Sequence, residues 1–336
     1  MFQPDPSMPN PATIMQCMTG HWASAIVATA ANASLFTHLE RGAQTCDAVA
    51  QAIGFSKRGA QALLDGLVGL GIITTAGGKY QNTPESSFFL VEGMPAYMGN
   101  MAKLVCGPDG ELARWGKLPE VAKAGRIQQT WDPTNHPYWE QLVLAGAPMA
   151  MPVAMMAAGF IGFGDGQPRS MLDIGGGSGV FSGVLLGMNP KAVSTQVDWG
   201  NVNRFAEKFV SQFGVSDRFT TEDGDFHTVD FGESKHDVVI YSNIAHQESP
   251  AQNVALLSKA KRALKPGGAI VISDFVVQAD RTGPPFSLLF AVNMLLAHPE
   301  GDTYTEAQYR EWLTQASFQD IQVIPTPTPS TLIIAR

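Results

Sequence analysis

The chain has 336 residues, 45% of them apolar, with a formal net charge of −8. That length accommodates two domains, the apolar content excludes a disordered chain, and the acidic balance argues against a nucleic-acid surface, which is normally basic. Cys17, Cys46 and Cys106 are too few and too scattered for a disulfide framework or a Cys-rich zinc site.

No basic region followed by an apolar core opens the sequence, so no leader is expected. No run is expected to reach the length of a membrane span, because the Met-rich stretch 149–163 is short and interrupted by Pro152. The expectation is a cytoplasmic protein with no metal, no nucleic-acid partner and no membrane partner.

Residues 1–12 hold four prolines and read as a flexible arm. Apolar residues then recur with helical spacing over 15–39. Thr45 is placed to cap a helix over 46–53, and Ser56 starts another over 58–70, with Leu63, Leu64, Leu67 and Leu70 on one face and Gly71 as its stop. The stretches 72–75 and 79–82 flank Gly77-Gly78 as a hairpin. Helix, helix, helix, hairpin is the winged-helix order. Such a module binds DNA or mediates dimerisation. Only Lys57 and Arg58 charge the start of the third helix, and the first helix carries the apolar run Trp22 to Ala28, so dimerisation is the favoured reading.

The stretch 107–170 reads as helices separated by turns at 108–110 and 133–137. Tyr138-Trp139 and then Met149, Met151, Met155 and Met156 follow. Such a stripe fills a core, or makes an adaptable wall for a flat apolar ligand.

At 171–179 the sequence Met-Leu-Asp-Ile-Gly-Gly-Gly-Ser-Gly predicts a buried strand, a tight turn and the start of a helix. A turn of bare amides at a helix N-terminus suits a carboxylate or phosphate. The spacing is Gly175-x-Gly177-x-Gly179, with Asp173 two residues ahead. Val180 occupies the position where a dinucleotide fingerprint has its last glycine.

From there strands and helices alternate. Strands are expected at 194–197, 219–221, 237–241 and 269–274, and helices at 201–213 and 251–264. This implies a mainly parallel sheet covered on both faces. The last two strands, 320–324 and 331–335, are joined by too short a link for a parallel crossover, so they pair antiparallel. Ligands of open α/β sheets lie at the carboxyl ends of the strands. There Asp198 can accept both hydroxyls of a ribose, Asp225 can meet an adenine amino group, Phe226 can stack, and Ser242 and Asn243 follow the next strand.

Over residues 15–336 the chain resembles the small-molecule O-methyltransferases of the caffeate and hydroxyindole type, class I enzymes with an N-terminal winged-helix dimerisation domain. Leu172 to Gly179 matches motif I, Gly224-Asp225-Phe226 the Gly-Asp-Met/Phe motif, and Lys265 to Gly268 the Pro-Gly-Gly motif, while Gly20-His21-Trp22 resembles the dimerisation helix. The resemblance implies an α/β fold, a Rossmann-like seven-stranded core, preceded by a mainly α domain. It implies a homodimerising domain over 1–105 and a catalytic domain over 106–336 that includes linker helices at 107–167. It implies S-adenosylmethionine as cofactor, with S-adenosylhomocysteine as product. The cofactor would be held by Asp173, Gly175, Gly177, Asp198, Trp199, Gly224, Asp225, Phe226, Ser242 and Asn243.

The family's general base, nine residues after the aspartate that opens the fourth strand, would be His246, with Asp274 as its carboxylate partner. A flat aromatic or polyketide-like acceptor would meet Trp139, Met155, Phe290, Asn293, Met294 and His298. The chain departs from the family pattern in several places. Gln247-Glu248 replaces Asp-Trp, Ser242 a lysine, Thr303 a second supporting glutamate and His298 an asparagine. Methylation at carbon or nitrogen, hydroxylation or decarboxylation with the same cofactor, a winged-helix regulator and a nicotinamide dehydrogenase stay open beside O-methylation.

Overall fold

In the computed structural model, residues 9–94, 96–106, 110–128, 132 and 134–336 are described. The chain divides into two compact units, Met1–Gly116 and Lys117–Arg336.

Most of the expected N-terminal arm, residues 1–8, lies outside the described residues. Helix α1 (Ala12–Asn32) begins earlier than expected, inside that arm. The single helix expected over 15–39 is two, because Ser34 takes a left-handed φ of 53° ahead of α2 (Leu35–Glu40). The Ser34 hydroxyl donates to Glu92 at 2.7 Å, which holds the break. Thr45 Oγ1 accepts the Ala48 N–H and starts α3 (Cys46–Ile53), and Ser56 Oγ accepts the Gly59 N–H and starts α4 (Lys57–Gly69).

Strands β1 (Ile73–Ala76) and β2 (Lys79–Asn82) pair antiparallel. Gly77 and Gly78, at φ 58° and 75°, supply the two left-handed residues that so short a hairpin turn needs. Three short helices follow, α5 (Pro84–Phe89), α6 (Met101–Val105) and α7 (Glu111–Trp115). Helix α7 therefore sits in the first unit, whereas the sequence placed it among the linker helices of the second. Leu35, Phe36, Leu64, Leu67 and Ile73 form the buried centre. By contrast Ile14, Met15, Met18 and Trp22 on α1 are 68, 62, 73 and 60% exposed.

The second unit opens with α8 (Leu118–Ala124) and α9 (Pro137–Phe160). Helix α9 runs through both Pro148 and Pro152, although Pro152 was expected to interrupt the apolar run. Each proline removes a helix hydrogen bond, but Val153, Ala154, Ala157 and Ala158 bury themselves in the core beyond them. By length and apolar composition α9 could cross a membrane, contrary to the sequence expectation.

The rest alternates: β3 (Arg169–Ile174), α10 (Val180–Met188), β4 (Ala192–Asp198), α11 (Gly200–Ser211), β5 (Phe219–Asp223), β6 (His236–Ser242), α12 (Pro250–Ala263), β7 (Leu264–Asp274), α13 (Pro285–Ala297), α14 (Glu306–Gln315), β8 (Gln322–Pro325) and β9 (Thr331–Ala335). The seven strands lie in the order β5-β4-β3-β6-β7-β9-β8. All neighbours up to β7 are parallel, and β9 runs antiparallel to both β7 and β8.

Successive side chains on a strand point to opposite faces. Leu172, Val239 and Ile270 thus enter one core with Trp312 and Phe318, while Met171, Ile240 and Val271 enter the other with Ala154 and Leu185. Burial on both faces is why these strands read as unbroken apolar runs. Strand order reverses at β3: the chain winds outward one way through β4 and β5 and the other way through β6 and β7, and at such a switch point an open sheet leaves a crevice.

Candidate active site

The crevice is floored by the turn after β3. Gly175, Gly177 and Gly179 have φ of 59°, 58° and 73°, values a side chain makes costly. A Cβ on Gly175 would also stand 2.5 Å from Ile244 Cδ1 and one on Gly177 3.0 Å from Val143 Cγ1. The turn is held from beneath by carboxylates. Asp198, at the end of β4, accepts the Gly177 N–H at 2.9 Å with Oδ2 and the Trp199 N–H at 2.7 Å with Oδ1. Burial pushes its carboxyl up to about 6 against those two hydrogen bonds.

Asp173 is 1% exposed and accepts from Ser182 Oγ at 2.7 Å, so it lies beneath the turn and not at its open face. Burial pushes its carboxyl up to about 7, opposed by Ser182 and reinforced by the nearby Asp198 charge.

Beyond Trp199 a cavity of about 270 Å³ is lined by Thr134, Asn135, Gly200, Arg204, Asp223 and Gly224. Asn201 joins its two walls. Its N–H donates to Asn135 Oδ1 at 3.1 Å, and its Nδ2 donates to Glu140 Oε1 at 3.1 Å. Asp225 Oδ1 accepts the His227 N–H at 2.8 Å, which folds the loop after β5 and sets Phe226 near Gly175. Asn243, at φ 57°, sends its N–H to Ser273 O at 2.8 Å and its Nδ2 to Ser242 Oγ at 3.1 Å.

The short 3₁₀ turn Ala245–Gln247 carries His246, which is only 5% exposed. Its Nδ1 lies 2.7 Å from Asp274 Oδ1, and its backbone N–H donates to Asp274 Oδ2 at 3.0 Å. Asp274 is acceptor-only when ionised, so the imidazole carries its proton on Nδ1 and presents Nε2 as the lone pair. The His246 ring stands edge-on to Phe290 at 4.9 Å and stacks near Phe275 at 5.9 Å. Phe286 completes this aromatic wall, 4.9 Å from Phe275.

The structure thus brings His246, Asp274 and Phe290 together. Met294 is buried on α13, one turn beyond Phe290, with Asn293 beside it and His298 ending the helix. Trp139 sits near the start of α9, edge-on to Tyr138. Met155 is not gathered with them: it is 56% exposed and turned from the α9 face that Val153, Ala154 and Ala157 bury. Thr303, at the place of a second carboxylate, is buried and its hydroxyl has no partner among the described residues. Sequence reasoning missed Phe275, Phe286, Asn135 and Glu140. Only the aromatic spacing of Phe286 and Phe290 on one helix face carried a local signal.

An O-methyltransferase domain model matches residues 154–319, and an O-methyltransferase dimerisation domain model matches residues 15–92. The chain belongs to the O-methyltransferase family. It is 29% identical to the 3-hydroxy-5-methyl-1-naphthoate 3-O-methyltransferase of Streptomyces sahachiroi, over 96% of this chain and 94% of the relative. It is also 29% identical to the tetracenomycin polyketide synthesis 8-O-methyl transferase of Streptomyces glaucescens, over 97% and 96% of the two chains. The fold matches human N-acetylserotonin methyltransferase in complex with S-adenosylmethionine, with a TM-score of 0.85, 24% identity and 99% of each chain covered.

This O-methyltransferase uses S-adenosylmethionine, and its own residues fit that cofactor. The glycine turn leaves its backbone open where a side chain would clash, and the Asp198 carboxylate stands at the crevice end of β4. The methyltransferase also carries a dimerisation domain, on whose first helix the exposed apolar residues Met18 and Trp22 lie.

Proposed function

We propose that the enzyme methylates a hydroxyl of a planar aromatic acceptor, of the polyketide or naphthoate kind, with His246 as general base. The observation that carries this reading is the His246–Asp274 contact inside an aromatic wall: Nδ1 is committed at 2.7 Å, and Phe290 stands 4.9 Å away. The relatives named for a hydroxynaphthoate and for a tetracenomycin polyketide support the acceptor class.

In this reading Asp198 takes the cofactor ribose, with Trp199, Gly224, Asp225 and Phe226 around the adenine. Gly175 and Gly177 admit the amino-acid end, with Ser242 and Asn243 at the neighbouring strand end. Asp173 supports the turn from below. When bound, S-adenosylmethionine supplies an electrophilic methyl on its sulfonium. Phe290, Phe275 and Met294 hold the acceptor ring flat, with Trp139, Asn293 and His298 at its margin. His246 Nε2 takes the hydroxyl proton as the oxygen pair is committed to bonding, and Asp274 stabilises the imidazolium that results. A positioned base contributes about 10²–10⁴ in rate, and alignment of the reacting atoms supplies much of the remainder. The working form is a cytoplasmic homodimer joined through the first unit.

The test is transfer of labelled methyl to a panel of hydroxylated naphthoates and fused-ring polyketides, by wild type and His246→Gln. Product on oxygen, lost in the variant while S-adenosylhomocysteine still binds, is the expected result. Methylation at carbon or nitrogen would overturn the acceptor assignment, and full activity of the variant would overturn the base.

A further inference from the structure

His227 and Glu248 meet between the two loops that frame the crevice, and neither touches the reacting centre. His227 Nε2 lies 3.2 Å from Glu248 Oε1. Glu248 follows the turn that carries His246 and is only 7% exposed. A carboxylate so buried needs a partner. Its position is fixed through its backbone: the carbonyl accepts Tyr304 Oη–H at 2.5 Å and Asn253 Nδ2–H at 3.2 Å. Asn253 in turn accepts the hydroxyl of Tyr241 on β6, so this end is anchored in the sheet.

The His227 end belongs to the cofactor side. Its N–H donates to Asp225 Oδ1, and Lys259 Nζ on α12 donates to the carbonyls of Phe226 and His227 at 2.8 and 3.1 Å. The His227 ring stands 4.8 Å from the Phe226 ring. A shift of His227 therefore shifts Phe226.

We propose that His227 and Glu248 are positioning residues, a clamp that holds the Phe226 loop against the His246 loop and so sets affinity for the adenine end of the cofactor. This rests on the cofactor site proposed above. The charged groups facing His227 are Glu248, Asp225 and Lys259. The Glu248 hydrogen bond is the largest influence and raises His227 above the ordinary histidine range, so the charged form of the contact persists to higher pH than in a free histidine and weakens to a neutral one as pH rises further.

The test is calorimetric titration of the full-length protein with S-adenosylhomocysteine at about pH 7 and about pH 9.5, the lower near and the upper far above the ordinary histidine value. Wild type, His227→Gln, Glu248→Gln and the double variant are compared, with melting curves to confirm folding. Wild type is expected to bind several-fold more weakly at the higher pH. Each single variant is expected to lose about 3–10-fold at the lower pH, with the double variant no weaker than either single. His227→Gln should also remove most of the pH dependence. Should Glu248→Gln fail to fold, the His227→Gln pH profile decides alone, since that side chain is 35% exposed. Variants that titrate like wild type at both pH values, single effects that multiply in the double, or pH dependence that survives in His227→Gln would overturn the clamp. A folded wild type that binds no S-adenosylhomocysteine at either pH overturns the cofactor site itself.

Discussion

Asp274 grips His246 twice, taking the imidazole Nδ1–H at 2.7 Å and the backbone N–H at 3.0 Å, and also accepts the Phe275 N–H at 2.8 Å. One carboxylate thus fixes the ring, its tautomer and the loop that bears it. This is how a site with Thr303 in place of a second acid still orients its histidine, the base of the proposed reaction.

Asp274→Asn should therefore lower kcat by about 10²–10⁴, the worth of a positioned base. An asparagine amide that donates to Nδ1 would drive the ring proton to Nε2 and remove the lone pair. Steady-state kcat beside S-adenosylhomocysteine titration checks this. Cofactor affinity should stay within about twofold, because Asp274 lies on the acceptor side and distant sites act independently.

Cofactor binding should weaken in acid. The Asp198 carboxyl is pushed up to about 6 by burial, so as pH falls through that value it takes a proton, loses its charge and has fewer acceptor sites for its two backbone N–H partners and the proposed ribose hydroxyls. Titration with S-adenosylhomocysteine at about pH 5 and about pH 8 should show tighter binding at the higher pH. Asp198→Asn should bind weakly at both.

Asp173 makes a separate prediction about stability. Its folded-state value is about 7, raised from 3.8, so the folded chain holds this proton more tightly than the unfolded chain does. Its contribution is present in full below the lower value and is lost as pH rises through the upper one. Asp173→Asn keeps an acceptor for Ser182 and removes the buried charge. Its Tm should be higher than wild type at about pH 8, by roughly 2–4 °C for each kcal/mol of relief. The difference should shrink toward about pH 4, where the wild-type carboxyl is largely protonated. Melting curves across that range decide it, and equal slopes for the two proteins would refute the assignment.

The exposed face of α1 predicts the assembly. Ile14, Met15, Met18 and Trp22 leave an apolar stripe too continuous for an isolated surface helix. Met18→Glu with Trp22→Glu should convert a dimer to a monomer in sedimentation analysis, while S-adenosylhomocysteine binding by the second unit persists. An unchanged mass would move the interface elsewhere.

What the sequence determined by itself was local. Positive φ without a Cβ clash requires glycine, so the turn at Gly175, Gly177 and Gly179 was legible, as were the strands whose two buried faces leave unbroken apolar runs. The strand-end place of Asp198 was legible for a similar reason, being fixed by counting along one strand, whereas His246 was picked out by the family resemblance, nine residues after Asp237. The tertiary structure alone decided the rest. Asp274 reaches His246 across 28 residues, and Glu248 reaches His227 across 21, because parallel crossovers bring separate strand ends to one edge. Likewise Ser34 breaks the first helix while Pro148 and Pro152 leave α9 continuous. In each case burial and partners supplied by distant segments outweighed a backbone preference of a few kcal/mol at most.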